Sequence, residues 1–308
     1  MRFPIASAVV LAAVAAVVPG FARGDDAPAE TTLFRHHCAA EIPADQAIGF
    51  VALPEGDVFC PLLADPKAAR SFASYVRGSS ESALGTDLAS VGIADRFALA
   101  RWGGPVPGEG TQVGLEGGVF AQFDMRTASA DLVNADYLIG IPVTLRRGSA
   151  SARLRLYHQS SHLGDEYLLR SNLTRENFSY ESLEAILSWD TGLFRVYGGG
   201  ENVFAARPTS LEFNVAHGGA EFRSPRARLA GLSHVSLVAA GDLKAVESLD
   251  WDIGWSGRAG IEVSSQEADR HATRPWSLMA EYYEGPSPYG QFFRSEVKYY
   301  GFGIHFAP

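Results

Sequence analysis

Lysine is nearly missing from this chain: three of 308 residues, in a sequence whose net charge is −9. No cluster of Lys and Arg occurs, which excludes a nucleic-acid partner, because phosphate binding needs concentrated positive charge. Cysteine is also scarce, with Cys38 and Cys60 the only two. Their spacing fits no metal motif, and there is no third thiol to complete one. After the first twenty residues there is no apolar run of the roughly 18–20 residues that a membrane-crossing helix requires. That removes helical spans and leaves strands, whose alternating faces average to a neutral hydropathy.

The apolar run that does exist is N-terminal. Arg2 precedes Ile5 to Val18, and Gly20-Phe21-Ala22 offers small residues at the positions a signal peptidase reads. Residues 1–22 are expected to be a cleaved signal peptide, so the mature chain is exported. In that compartment an even cysteine count favours a Cys38–Cys60 disulfide, the alternative being two buried thiols. Residues 23–69 hold Pro43, Pro54, Pro61 and Pro66 and show no sustained period. They are expected to form a short periplasmic segment, a plug or foot under a barrel.

From Arg70 the pattern is alternation. Val113, Leu115, Val119, Ala121 and Phe123 oppose Gln112, Glu116, Gln122 and Asp124. Val133 to Leu145 repeats the arrangement, and Leu249 to Val263 sets Trp251, Ile253, Trp255 and Ile261 against Asp250, Asp252, Arg258 and Glu262. Alternation over about 13 residues outlasts an ordinary strand of about 5–6. The fold class read from this is all-β: an antiparallel transmembrane β-barrel over residues 70–308. About twelve strands are expected, centred near Ala73, Ile93, Glu116, Ile139, Leu156, Leu183, Val196, Val215, Val235, Trp255, Ala280 and Phe302. Short breaks at Arg147-Gly148-Ser149 and Asp190-Thr191-Gly192 should alternate with longer ones such as Gly164 to Glu176. Tyr300, Phe302, Ile304 and Phe306 give the last strand an aromatic face similar to the terminal strand that outer-membrane barrels present to their assembly machinery.

The opposite face carries Glu116, Asp124, Asp136, Arg146, Arg153, Arg155, Arg195, Glu201, Asp252, Arg258 and Glu262. These charges are expected inside the barrel, paired across neighbouring strands, since an unpaired buried charge is costly. Gly198-Gly199-Gly200 beside Arg195 and Glu201 marks either a polar path or close packing.

One strand breaks the rule. Ser151 to His162 reads SARLRLYHQSSH, with Ala152, Leu154 and Leu156 on the apolar face and Arg153, Arg155 and Tyr157 opposite. His158, Ser160 and His162 then continue the leucine face. The strand rises from the short turn at Gly148-Ser149, so these groups come near the outer end of the apolar belt. A serine needs a base within reach, and the base needs an orienting partner. His158 and Ser160, two apart on a strand, point the same way. On the next strand Glu181 and Ser179 share the face of Leu183, Leu187 and Trp189, which makes Glu181 the expected partner of His158. Asn172 is a second candidate for that role.

A His-x-Ser pair on an outward barrel strand resembles outer-membrane phospholipase A and the lipid A 3-O-deacylase. Both are barrel hydrolases with an Asn or Glu partner facing lipid. The resemblance carries to His158 and Ser160; Ser161 stands where those enzymes commonly have Asn. Over most of the mature chain the sequence resembles an uncharacterised bacterial family of outer-membrane-type barrels, domain of unknown function 1207. The matching stretches are PLLADP (Pro61 to Pro66), NADYLIGIPVTLRRG (Asn134 to Gly148), RLRLYHQSSHLGDE (Arg153 to Glu166), SYE (Ser179 to Glu181) and RVYGGG (Arg195 to Gly200).

Two functions are expected from these features. In one, Ser160, His158 and Glu181 hydrolyse an acyl ester of an outer-leaflet lipid, either phospholipid or lipopolysaccharide. In the other, the barrel is a channel or a structural element and the polar groups merely decorate the headgroup boundary. No organic cofactor is expected. His162, Asp165 and Glu166 are weak candidates for a divalent cation such as calcium, with lipopolysaccharide contact as another use of the same loop.

Overall fold

The computed structural model describes Ile42, Gln46 and residues 48–307 apart from 80–84, 107, 172–174, 212, 230–231 and 264–274. The expected signal peptide, Cys38 and Asn172 lie outside the described residues. Cys60 is disulfide-bonded.

Twelve antiparallel strands close on themselves. They are β2 (Ser71–Gly78), β3 (Asp87–Gly103), β4 (Gly110–Asp124), β5 (Asp131–Arg147), β6 (Ala150–Leu163), β7 (Phe178–Thr191), β8 (Phe194–Arg207), β9 (Asn214–Arg223), β11 (Leu232–Val246), β12 (Asp252–Val263), β13 (Trp276–Pro286) and β14 (Glu296–Phe306). Each pairs with its neighbour, and β14 pairs with β2 to seal the ring. Two short strands add to the outside of this cycle: β1 (Gly49–Ala52) on β3 and β10 (Ala227–Leu229) on β11. One short helix, α1 (Asp165–Arg170), follows β6. All twelve expected strand centres fall inside barrel strands.

The two-residue turns at 148–149 and 192–193 place glycine at positive φ, +56° for Gly148 and +57° for Gly192, as tight hairpins require. The turn side is not uniformly short, because β9 and β11, and β12 and β13, are separated by longer stretches of sequence. The strand expected from Leu249 starts at Asp252 instead. Glu247–Leu249 forms a 3₁₀ turn, and Asp250 and Trp251 take positive φ, which ends the alternation early.

Strand parity sorts the side chains. Ile93, Phe97, Ile139, Val196, Leu237, Ile253 and Phe302 stand exposed on the outer wall. An apolar belt of this extent is stable against hydrocarbon and not against water. Aromatic residues ring it at two heights: Tyr75, Tyr137, Trp255, Tyr282 and Tyr300 on the long-loop side, Trp102, Trp189, Phe194 and Phe306 on the turn side. Such girdles mark the two membrane–water interfaces.

Inside, the charges pair. Arg155 spans two strands, with its guanidinium 2.7 Å from both Glu116 and Glu184, and Arg153 reaches Glu184 at 2.8 Å. Arg146 holds Asp190 at 2.5 Å, Arg195 lies 3.4 Å from Glu221, and Arg223 pairs with Glu262. Two residues expected in the lumen lie elsewhere. Asp124 and Asp252 end their strands at the long-loop rim, where Asp252 is exposed and Asp124 accepts from Arg170 at 2.8 Å. Gly199 marks close packing: a Cβ there would lie 2.0 Å from the carbonyl oxygen of Ala185.

Residues 53–70 run up inside the wall as irregular backbone. Val58, Phe59 and Leu62 are fully buried. Phe59 lies between the guanidinium groups of Arg153 and Arg195, 5.0 and 4.8 Å from its ring centroid. A coil cannot satisfy its own backbone, so the wall does it. Arg146 donates to the Val58 carbonyl at 2.7 Å and Arg258 to that of Leu63 at 2.8 Å, while the Leu63 amide donates to Glu221 at 2.7 Å. Lys67 pairs with Asp136, and Lys244 with Asp65 at 2.8 Å. Burial opposes charge on Asp65, but Lys244 and His217 outweigh it and hold its carboxyl well below the ordinary 3.8. The coil fills the turn-side half of the lumen. Above it a cavity of about 130 Å³ remains, with Lys67, Tyr157, Tyr180, Glu201 and Lys244 at its polar side.

Two outcomes are expected from this packing. Phe59→Ala should destabilise the folded barrel by about 3–5 kcal/mol, read from the denaturant midpoint in micelles. Glu184→Gln should cost about as much, because it leaves Arg153 without its carboxylate and Arg155 with Glu116 alone. An unchanged midpoint in either variant would mean that the coil or the network does not hold the wall together.

Candidate functional site on the outer wall

The polar groups of β6 lie on the outside. Pairing of β6 with β7 sets His158 opposite Glu181 and Ser160 opposite Ser179, and pairing with β5 sets Tyr137 opposite Ser160. Cross-strand partners share a face, so the outward exposure of Tyr137 fixes that of Ser160. Ser160 therefore sits at the height of the upper aromatic girdle, where acyl esters of a bilayer lie. His158 and Glu181 sit one row deeper, beside Ile139.

His158 Nδ1 lies 3.0 Å from Glu181 Oε1, and both side chains are about half exposed, 42% and 46%. A carboxylate only accepts, so Nδ1 carries the proton and donates. This leaves Nε2 as the bare, basic nitrogen. Among the described residues the Ser160 hydroxyl makes no hydrogen bond to that ring. The structure thus brings together two of the three expected groups and places the third on the same face, two residues, or about 7 Å, along the strand. Asn172, the other candidate partner, falls outside the described residues.

His162 is occupied otherwise. Its Nδ1 accepts from Arg175 at 2.6 Å, and its ring meets Tyr137 edge-on at 5.7 Å. Asp165 and Glu166 open α1 and are exposed. Among the described residues no three His, Cys, Asp or Glu side chains converge as metal ligands. A guanidinium seated on His162 repels a cation, so this trio does not fit calcium.

Sequence reasoning missed two cations near the serine. One is Arg175. The other is Arg207, which pairs with Ser179 in the same row as Ser160. Counted from the inward Val203, Arg207 should also face inward. A bulge between Glu181 and Ser182 leaves Phe204 as an extra residue on β8 and reverses the parity, turning Arg207 outward. The stretch Phe204-Ala205-Ala206, where alternation lapses before Pro208, was the available signal.

A family model described as "Protein of unknown function (DUF1207)" matches residues 15–307. No curated protein matches the chain. Among solved structures, the barrel is similar to outer membrane phospholipase A from Escherichia coli, with a TM-score of 0.51 at 13% identity over 80% of this chain and 92% of that one. It is equally similar to the Salmonella typhi outer membrane phospholipase dimer with bound calcium, TM-score 0.51 at 12% identity, over 77% of this chain and 90% of that one. At such identities the likeness is one of fold.

The hydrogen bond can be checked directly. In histidine-¹⁵N-labelled protein, His158 should show a protonated Nδ1 and a bare Nε2, and Glu181→Ala should abolish that preference. A spectrum unchanged by Glu181→Ala would mean that the two groups do not meet.

Proposed function

We propose, for a chain that belongs to the DUF1207 family of proteins of unknown function, that this outer-membrane barrel hydrolyses an acyl ester of an outer-leaflet lipid. The reading is supported chiefly by one observation: an imidazole with a carboxylate on Nδ1 at 3.0 Å, facing outward beside a serine at girdle height. Likeness of fold to a phospholipase barrel agrees with it.

Ser160 Oγ attacks the ester carbonyl carbon while His158 Nε2 takes the hydroxyl proton. Glu181 stabilises the imidazolium that forms. The ring then returns its proton to the departing alcohol oxygen, leaving an acyl-serine that water opens by the same route. In unliganded enzymes such serine–base contacts are often long and tighten when substrate binds. The acyl chain lies along Leu156, Leu183 and Leu187, deeper on the same wall.

Free fatty acid released from lipid–detergent micelles is the measurement. Ser160→Ala should fall to background. His158→Ala should lose about 10²–10⁴-fold, and Glu181→Ala less than His158→Ala. The assay is run with calcium and with chelator. Equal release by wild type and Ser160→Ala, in protein that folds normally, would refute hydrolysis at this site.

A further inference from the structure

Two cations lie near the serine, one in its row and one above it. Across the wall, Ser160, Ser179 and Arg207 form a single row on β6, β7 and β8. Two strand spacings of ~4.8 Å put Arg207 about 10 Å from the serine along that row, within reach of a guanidinium on its long stem. Arg207 is exposed and has no ion-pair partner among the described residues. Arg175 sits higher, on His162, toward the long loops. The nearby carboxylates are accounted for: Glu181 holds His158, and Glu176 pairs with Arg294 at 3.1 Å. Below Ser160 come His158 and Glu181, and below them Leu156, Leu183 and Leu187.

The outer face is therefore graded, with an apolar stripe, then the His158–Glu181 pair, then Ser160 with Arg207 in its row, then Arg175 above. Resting on the hydrolase reading for the role of Ser160, we propose that Arg207 and Arg175 bind the phosphate of an acyl lipid and so select phosphorylated lipids over neutral ones. A guanidinium fork matches phosphate oxygens bidentately, and at the membrane boundary such charge-assisted bonds are strong. Two sources carry this chemistry, a glycerophospholipid and a phosphorylated acyl-glucosamine.

The test is binding to the full-length, folded Ser160→Ala protein in detergent, by native mass spectrometry. Three probes are compared: dihexanoyl phosphatidic acid, a monophosphorylated diacyl-glucosamine, and neutral dihexanoylglycerol. At least one phosphorylated probe should bind about 10- to 100-fold more tightly than the neutral one, and the tighter of the two identifies the source. Adding R207Q or R175Q should remove most of that preference and leave neutral-lipid affinity unchanged; R207K should restore part of it. Equal affinity for all three probes, or a preference that survives R207Q together with R175Q, overturns the proposal. Because no turnover is measured, a phosphate preference in protein whose wild type releases no fatty acid would sink the hydrolase reading alone.

Discussion

A closed barrel this small must neutralise every charge it turns inward, and the rest of the molecule depends on how it does so. Arg153, Arg155 and Arg195 each meet a carboxylate on a neighbouring strand, and Arg146 reaches past β6 to Asp190 on β7. Three of them also meet the coil, Arg146 at the carbonyl of Val58 and Arg153 and Arg195 at the ring of Phe59. The wall could not close around these arginines without a partner for them, and the coil could not be buried without donors for its carbonyls. Each offsets the other's cost of burial, since an orphaned buried polar group costs about 1–3 kcal/mol.

That solution also decides what the interior is not. The turn-side lumen is filled by side chains and plug, as small barrels usually are. Gly199 and Gly200 let strands approach there. The outer wall faces the membrane, and on β6 and β7 the alternation rule is broken. His158, Glu181 and Ser160 occupy positions that the rule reserves for apolar side chains. Polar groups facing hydrocarbon need each other, and the His158–Glu181 hydrogen bond satisfies two of them.

Most of the fold was legible because period-two alternation is a local property. Each strand announces both its extent and its faces, and a hairpin of known turn length fixes register, which is how Glu181 could be set opposite His158 from residue counting alone. What was not legible depends on events that shift the count. The bulge at Phe204 reversed Arg207, and the 3₁₀ turn at Glu247–Leu249 moved the start of β12. Asp124 and Asp252 were read by parity alone, which says nothing about height, so their place at the rim was missed. The path of residues 53–70 was equally hidden, because a proline-rich coil has no period and its position is set by partners distant in sequence, such as Glu221 and Arg258.

Hydrolysis on the outer wall requires a reactive serine that faces lipid. Treating the folded barrel in micelles with a long-chain alkyl fluorophosphonate, then mapping the adduct by peptide mass spectrometry, addresses that claim most directly. Phosphonylation at Ser160 in the wild type, lost in His158→Ala, is the predicted result. A folded barrel whose Ser160 stays unmodified while it binds the probe would contradict it.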